Sequence, residues 1–198
     1  VVDVDTEVVV QPQLEPRINP SWERAAAETD AVRGVLSLDV LPFVAPSRLV
    51  PTHLTGDASL RSELLDVFAS EFAPDRPILD VIEGVCSWIY FGYRFDPTST
   101  TVSTPLGDVL MQLAGVCQDF AHLAVGAFRS RGIAARYVSG YIETDPPPGE
   151  SKTIGADASH AWASCWCGAL GRIQFDPTTN CLLSDCHITA PRCRAYRP

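Results

Sequence analysis

Apolar side chains recur every three or four residues over long stretches of the chain, a spacing typical of helices that bury one face. Three helices are predicted from this spacing, over residues 21–32, 57–72 and 78–91. Ser21 and Asp57 stand at the starts of the first two, where their side chains can cap free N–H groups. Thr104-Pro105 starts a shorter helix, because proline suits the first helical position.

The helical spacing returns after Gly115 and extends from Cys117 to about Arg131, where Gly132 stops the helix. One face of this helix is rich in small residues, which allows close packing against a neighbour. That face comprises Phe120, Ala124, Ala127 and Phe128.

The pattern changes to strands beyond Gly132. Strands are predicted over residues 135–144, 158–167 and 171–179. The last two alternate in residue type around a glycine-containing turn, which predicts an antiparallel hairpin. Helices followed by an antiparallel sheet define an α+β domain.

The chain is predicted to divide at residue 56. Residues 1–10 alternate in part and predict one strand, and residues 34–55 contain three prolines and predict an extended connection. A lone strand cannot bury its face, so residues 1–56 are interpreted as the remnant of an upstream β domain. Residues 57–198 form the main domain. Because the first residue is not methionine, we expect either processing or a longer parent protein.

Composition narrows the possible functions. Fifteen Lys and Arg residues stand against 24 Asp and Glu residues, a net charge of −9 that disfavours nucleic acid as a partner. No apolar stretch approaches about 18 residues, so no membrane span is predicted. The first residues lack the basic start of a signal peptide. Seven cysteines cannot all pair with one another, which favours a reducing compartment and predicts a cytoplasmic location.

Cys117 is the candidate nucleophile. It stands at the predicted start of a helix, where the partial positive charge and the free N–H groups favour a thiolate over a thiol. A lone cysteine at such a position is more often structural, so a nearby base and a group that orients it are needed.

The predicted hairpin supplies both groups. A turn centred on Gly168 places His160 directly opposite Asp176, on the same face of the sheet. A carboxylate in that position would hold the imidazole in one tautomer and stabilise its protonated form. A slip of one residue in the register would separate the two side chains.

Four sequence blocks resemble the bacterial transglutaminase-like superfamily, whose members are often described as cysteine proteases. The blocks are GVCQDFAH (115–122), ARYVSGY (135–141), DASHAW (157–162) and FDPTTN (175–180). The resemblance extends over about 57–190. It implies a papain-like core in which the helix that carries the cysteine packs on an antiparallel sheet.

The resemblance also implies roles for individual residues. Cys117 would be the nucleophile, His160 the general base and then acid, and Asp176 the orienting carboxylate. The implied chemistry is acyl transfer on a peptide or side-chain amide through a thioester, without a cofactor. Hydrolysis is favoured, since nothing in the sequence suggests a dedicated channel for an amine acceptor; an amine-accepting transglutaminase stays open. The expected partner is a peptide or protein substrate, and the oligomeric state is left open.

Two departures from the family pattern keep a catalytically inactive interaction domain open as well. Arg172 replaces a tryptophan, and residues 165–168 read Cys-Trp-Cys-Gly where related sequences favour valine and aromatic residues before Pro-Gly. Both departures fall in the hairpin that carries His160 and Asp176.

Several other side chains are candidates for secondary roles. The candidates for substrate contact are Gln118, Tyr141 and Trp162. His122 lies about 140° around the helix from Cys117 and is expected to be a packed, hydrogen-bonded histidine. His53 and His187 have no visible partner in the sequence.

The C-terminal thiols are candidates for a metal site. The cysteines in question are Cys165, Cys167, Cys181, Cys186 and Cys193. Their spacing does not match the paired knuckles of structural zinc sites. Buried thiols are therefore expected, with a Cys181–Cys186 disulfide and a metal-responsive module as the alternatives.

Overall fold

The computed structural model describes residues 18–33, 40–51, 58–143, 158–183 and 187–193. The strand predicted over residues 1–10 and the Asp57 cap lie outside the described residues. Within the described part of the chain, no helix has the length and apolar content that a membrane crossing requires.

Six α-helices are observed within the described residues. They are α1 (Trp22–Arg33), α2 (Leu41–Val44), α3 (Ala58–Val67), α4 (Ile78–Gly92), α5 (Leu106–Gln112) and α6 (Cys117–Ser130). The predictions for α1, α4, α5 and α6 are confirmed to within a few residues. Gly132 follows α6 with a φ of 82°, a left-handed conformation that glycine adopts without strain.

Two predictions for this helical region need correction. The helix predicted over residues 57–72 ends at Val67, and Phe68 and Phe72 continue into turns while remaining buried. The apolar spacing of Phe68 and Phe72 therefore reflects their burial and not a continuation of the helix. In the predicted extended connection over residues 34–55, α2 forms a short helix, because Pro42 occupies the first helical turn, where it favours helix.

The strands form one antiparallel sheet and one small pair. They are β1 (Arg94–Phe95), β2 (Ala114–Gly115), β3 (Ala135–Ile142), β4 (Ala158–Trp166), β5 (Arg172–Asp176), β6 (Cys181–Leu182) and β7 (His187–Cys193). The five-stranded sheet has the order β6-β5-β4-β3-β7, and β1 pairs with β2 in parallel. Helices packed on an antiparallel sheet confirm the predicted α+β class.

The hairpin of β4 and β5 exists, but its predicted register is wrong by two residues. Ala163 pairs with Phe175 and Ser164 with Gln174, so the turn is centred on Ala169 rather than Gly168. The cause is the connection, which contains a 3₁₀ turn over Gly168–Leu170. A shift of two residues keeps every side chain on its face, so His160 and Asp176 still share one surface, now as diagonal neighbours.

Helix α6 is the centre of the core. It packs on β3 and β4 on one side and on α3, α4 and α5 on the other. Its small residues Ala121, Ala124 and Ala127 are completely buried. Phe128 lies between the rings of Phe72 and Phe175, each with its centroid 5.4 Å away. This packing fixes the position of the helix start, where Cys117 lies.

The N-terminal helix belongs to the same core. The Trp22 indole donates a hydrogen bond to the carbonyl of Ala73, and the backbone N–H of Ala169 donates to Glu28. These contacts join α1 to the helical side and to the turn of the hairpin. The division of the chain at residue 56 stays a prediction.

Gly140 allows three parts of the fold to come together. It lies on β3, beside Thr189 of β7 and His160 of β4. A Cβ at this position would meet the carbonyl oxygen of Ile188 and the ring of Trp162 well inside van der Waals distance. The absence of a side chain here therefore lets β7 approach β3 and lets Trp162 lie across the sheet.

We expect Gly140→Ala to lower the free energy of unfolding by roughly 1–3 kcal/mol, because the new methyl group must displace backbone as well as an indole ring. Urea denaturation followed by tryptophan fluorescence measures the change. Gly107→Ala in α5 is the matched control, since a Cβ there has nothing within 4 Å. Equal stability of the two variants would contradict this account of the β3–β7 contact.

Candidate active site

Cys117 is the first residue of α6, and the residues around it hold that helix start in place. The Asp119 carboxylate accepts hydrogen bonds from the backbone N–H of Val116 at 2.9 Å and from the Thr100 hydroxyl at 2.6 Å. A Cβ at Gly115 would lie 2.9 Å from Asp119 atoms, so glycine makes room for the buried carboxylate. The residues around Cys117 thus build a capped helix N-terminus with the thiol at its tip.

His160 and Asp176 meet on the sheet. His160 Nε2 lies 2.7 Å from Asp176 Oδ2, and the carboxylate is completely buried. The other oxygen, Oδ1, accepts the backbone N–H of Thr178 at 2.8 Å, and Oδ2 also accepts the Thr179 hydroxyl at 2.7 Å. Asp176 therefore starts the turn after β5 and holds His160 at the same time.

The imidazole interacts with the carboxylate on one side and with the thiol on the other. Burial would lower the pKa of His160, but hydrogen bonds to Asp176 and Cys117 outweigh that effect and raise it to about 9. Since Asp176 occupies Nε2, the ring nitrogen left for Cys117 is Nδ1. Burial would raise the pKa of Asp176, and its hydrogen bonds to His160, His187 and Thr179 hold it well below the ordinary value instead.

A second histidine lies at this carboxylate, and the interpretation that His187 has no partner is wrong. Its Nε2 lies 3.2 Å from Asp176 Oδ2, and its side chain is almost fully buried. The ring is brought there by β7, which pairs with the outer edge of β3. Local sequence patterns gave no signal for this contact, because it depends on the pairing of β7 with β3.

His160, Asp176 and His187 are also the one group among the described residues whose ligand atoms could hold a metal ion, all within 4.8 Å of one another. Both ring nitrogens that face the centre of the group are hydrogen-bonded to Asp176 Oδ2. Hydrogen bonding therefore accounts for the arrangement without an ion.

The three residues predicted to contact substrate lie in different environments. Trp162 is completely buried, a position that favours core packing over contact with substrate. Its indole donates to Gln174 at 3.0 Å and packs edge-on to His187, with centroids 5.1 Å apart. Gln118 is half-buried beside Cys117, and Tyr141 is 50% exposed on β3, so both stay predictions.

His122 is a packed histidine, as expected. It is buried, and its ring lies over Tyr137 with centroids 5.1 Å apart. Burial and the nearby Arg129 guanidinium lower the pKa of His122 to about 3. A neutral, packed histidine is the result.

Cys165 and Cys167 are buried thiols, with their sulfur atoms 3.4 Å apart. Burial and the neighbouring thiol raise the pKa of Cys165 well above its ordinary value, which disfavours reactivity. Within the described residues, these thiols do not form a group of three metal ligands. The disulfide alternative involves Cys186, which lies outside the described residues.

The departures from the family pattern lie at the far end of the hairpin. Arg172 pairs with Trp166, and its guanidinium lies 5.2 Å from the ring centroid of Phe43. This pair is four residues, roughly 13 Å, along the strand from Asp176. Arg172 and Trp166 therefore pack on α2, away from the His160–Asp176 contact.

Comparison with known proteins places this arrangement in a family. Residues 68–177 match a family model described as the transglutaminase-like superfamily. An uncharacterised protein from Mycobacterium tuberculosis is 45% identical over 132 residues, which cover 65% of this chain and 42% of that protein. A protein from Mycobacterium leprae is 38% identical over 109 residues, 55% of this chain and 38% of that protein. The chain thus spans less than half the length of these curated relatives.

A solved structure has a similar fold. The crystal structure of a putative cysteine protease from Cytophaga hutchinsonii gives a TM-score of 0.61 at 25% sequence identity, and the match covers 81% of this chain and 48% of that chain. The shared arrangement is the papain-like fold, in which helices pack on an antiparallel sheet.

The high pKa of His160 depends in part on Asp176, so we expect Asp176→Asn to lower it from about 9, because the charge and hydrogen bond of the carboxylate are lost while burial and the Cys117 contact remain. The side-chain amide of the new asparagine keeps an oxygen atom that can accept the hydrogen bond from the backbone N–H of Thr178. Nuclear magnetic resonance titration of ¹³C-labelled histidine measures the change. Asp108→Asn, on the remote helix α5, is the control and should leave His160 near 9. Titration of His160 near 9 in Asp176→Asn would contradict the assignment of its partner.

Proposed function

This chain belongs to the transglutaminase-like superfamily, a family of cysteine-based enzymes, and from that premise we propose that it transfers acyl groups from peptide or side-chain amides. In the proposal, Cys117 is the nucleophile, His160 the general base and then acid, and Asp176 the group that orients His160. The substrate is a peptide or protein.

One observation carries the proposal: a single imidazole lies between a thiol at a helix N-terminus and a buried carboxylate. His160 interacts with Cys117 and, 2.7 Å away, with Asp176 Oδ2. Each contact supplies what the other needs, since the carboxylate stabilises the imidazolium and the imidazolium stabilises a thiolate.

The proposed reaction starts from a pair in which the Cys117 proton already lies on His160 Nδ1, so that a thiolate faces an imidazolium. The thiolate attacks the amide carbonyl carbon, a C–S bond forms, and the carbonyl π electrons move to oxygen. The C–N bond then breaks, and His160 gives its proton to the departing nitrogen as ammonia or an amine leaves. A thioester on Cys117 remains.

The oxyanion of the tetrahedral intermediate needs hydrogen-bond donors. N–H groups in the first turn of a helix have no acceptor within the helix, and those of Cys117 and Gln118 stand beside the thiol. We assign them as the oxyanion donors, assisted by the positive end of the α6 dipole. Asp119 holds the turn in place through Val116 and Thr100.

Water is the proposed acceptor of the acyl group, which makes the enzyme a protease or amidase. The His160 side chain is 10% exposed and Cys117 is half-buried, so solvent has access to the reacting pair. His160 would then activate water against the thioester and return the proton to the sulfur.

The test uses N,N-dimethylcasein as substrate, with and without monodansylcadaverine. We expect wild-type protein to release ammonia or new peptide amino groups, and Cys117→Ala to lose this turnover because no nucleophile is left. The melting temperature of Cys117→Ala should change by less than about 2 °C, since Cys117 is half-buried at a helix end. Cys167→Ala is the control for loss of an unrelated thiol.

Each outcome has one meaning. Incorporation of the dansyl amine into the casein would show that an amine, and not water, is the acceptor of the acyl group. Absence of every product from a folded wild-type protein, over several protein substrates, would favour the inactive interaction domain. Equal turnover in wild type and Cys117→Ala would overturn the assignment of the nucleophile.

A further inference from the structure

His187 reaches the active-site carboxylate from β7, whereas His160 reaches it from β4. Its Nε2 lies 3.2 Å from the same oxygen, Asp176 Oδ2, that contacts His160 Nε2 at 2.7 Å. The two imidazole centroids are 6.3 Å apart. One carboxylate oxygen therefore serves both rings.

The surroundings of His187 are built for this single polar contact. The ring lies edge-on against Trp162, and the packing of Trp162 depends on the missing side chain at Gly140. Within the described residues, His187 Nδ1 is buried without a hydrogen-bond partner. Burying an unsatisfied nitrogen has a cost, which is consistent with a ring held here for what Nε2 does.

Asp176 Oδ2 accepts from three donors: His160, His187 and the Thr179 hydroxyl. A carboxylate oxygen offers about two lone-pair positions, so three donors share its charge. Each donor that stabilises the anion makes it a weaker acceptor for the others.

We propose that His187 is a positioning residue that shares the Asp176 carboxylate with His160 and so limits how tightly Asp176 holds the His160 proton. The inference rests on the proposed function, in which His160 must pass that proton to the leaving group. A carboxylate held by His160 and the turn alone would stabilise the imidazolium more strongly and slow this transfer.

The other titratable groups near this cluster are few among the described residues. Cys117 contacts His160 from α6, Cys86 faces Asp176 from α4, and Cys181 lies near Cys86 on β6. Burial and the nearby Asp176 carboxylate raise the pKa of Cys86, so it stays a neutral thiol. Cys117 is therefore the neighbour that contacts the His160 ring directly.

The experiment is a nuclear magnetic resonance titration of His160 in the full chain with ¹³C-labelled histidine. His187→Phe removes the donor and keeps a ring against Trp162; His187→Leu removes it with a smaller side chain, in case the first variant does not fold. We expect the titration midpoint of His160 to rise by about 0.5 pH unit or more. His187→Gln, which keeps an N–H donor at the same distance from the backbone, should stay near the wild-type midpoint.

A double variant isolates the route of the effect. In the Asp176→Asn background, His187→Phe should leave the His160 midpoint unchanged, because the shared carboxylate is gone. If His187 had only a structural role, His187→Phe would shift the His160 midpoint by the same amount in the wild-type and Asp176→Asn backgrounds. An unchanged or lowered midpoint in His187→Phe, or an equal rise in His187→Gln, would overturn the inference.

The titration is independent of turnover, so the two proposals fail separately. Loss of the proposed function appears as absent products in the casein assay, while the midpoint of His160 still reports the sharing of Asp176. If the wild-type midpoint itself lies at the ordinary value, Asp176 does not hold the proton and the inference fails whatever the turnover.

Discussion

The buried carboxylate of Asp176 is the constraint on which the rest of the site depends. A completely buried anion is costly unless donors surround it, and here four donors come from three parts of the sequence. The backbone N–H of Thr178 and the Thr179 hydroxyl come from the turn after β5, His160 comes from β4, and His187 from β7. Because the anion is stable only when these donors surround it, the geometry of the active site depends on correct pairing of the strands.

The second half of the site is placed by packing. Small residues on α6 let the sheet and the helices α3, α4 and α5 approach it closely, which fixes where its N-terminus points. Cys117 is at that end, and His160 reaches it from the sheet. The thiol on the helix and the imidazole on the sheet, which the proposal pairs as nucleophile and base, therefore depend on one interface, the contact of α6 with β3 and β4.

The amino-acid sequence predicted the elements of the site better than their geometry. The helix that starts at Cys117 and the hairpin that carries His160 and Asp176 follow from local patterns, because caps, glycines and alternation act over a few residues. The register could not be predicted, since the 3₁₀ turn that sets it is not apparent from Gly168 alone. The prediction that the two side chains share a face survived because the error was an even number of residues.

The contacts that sequence reasoning missed are those made over long distances along the chain. His187 meets Asp176 only because β7 pairs with β3, a pairing that local periodicity does not encode. Trp162 looked like a possible substrate contact because it follows His160 in the strand, yet Gly140 of the neighbouring strand gives it a buried position.

The central claim is that Cys117 and His160 form a thiolate–imidazolium pair. The rate of iodoacetamide alkylation of Cys117, followed against pH by mass spectrometry, tests it most directly. An ordinary thiol with a pKa of about 8.5 is roughly 1000-fold less ionised at pH 5.5 than well above its midpoint. The account predicts that Cys117 stays reactive at pH 5 to 6 and that His160→Ala removes this reactivity; a Cys117 that loses reactivity with falling pH like an ordinary thiol would contradict it.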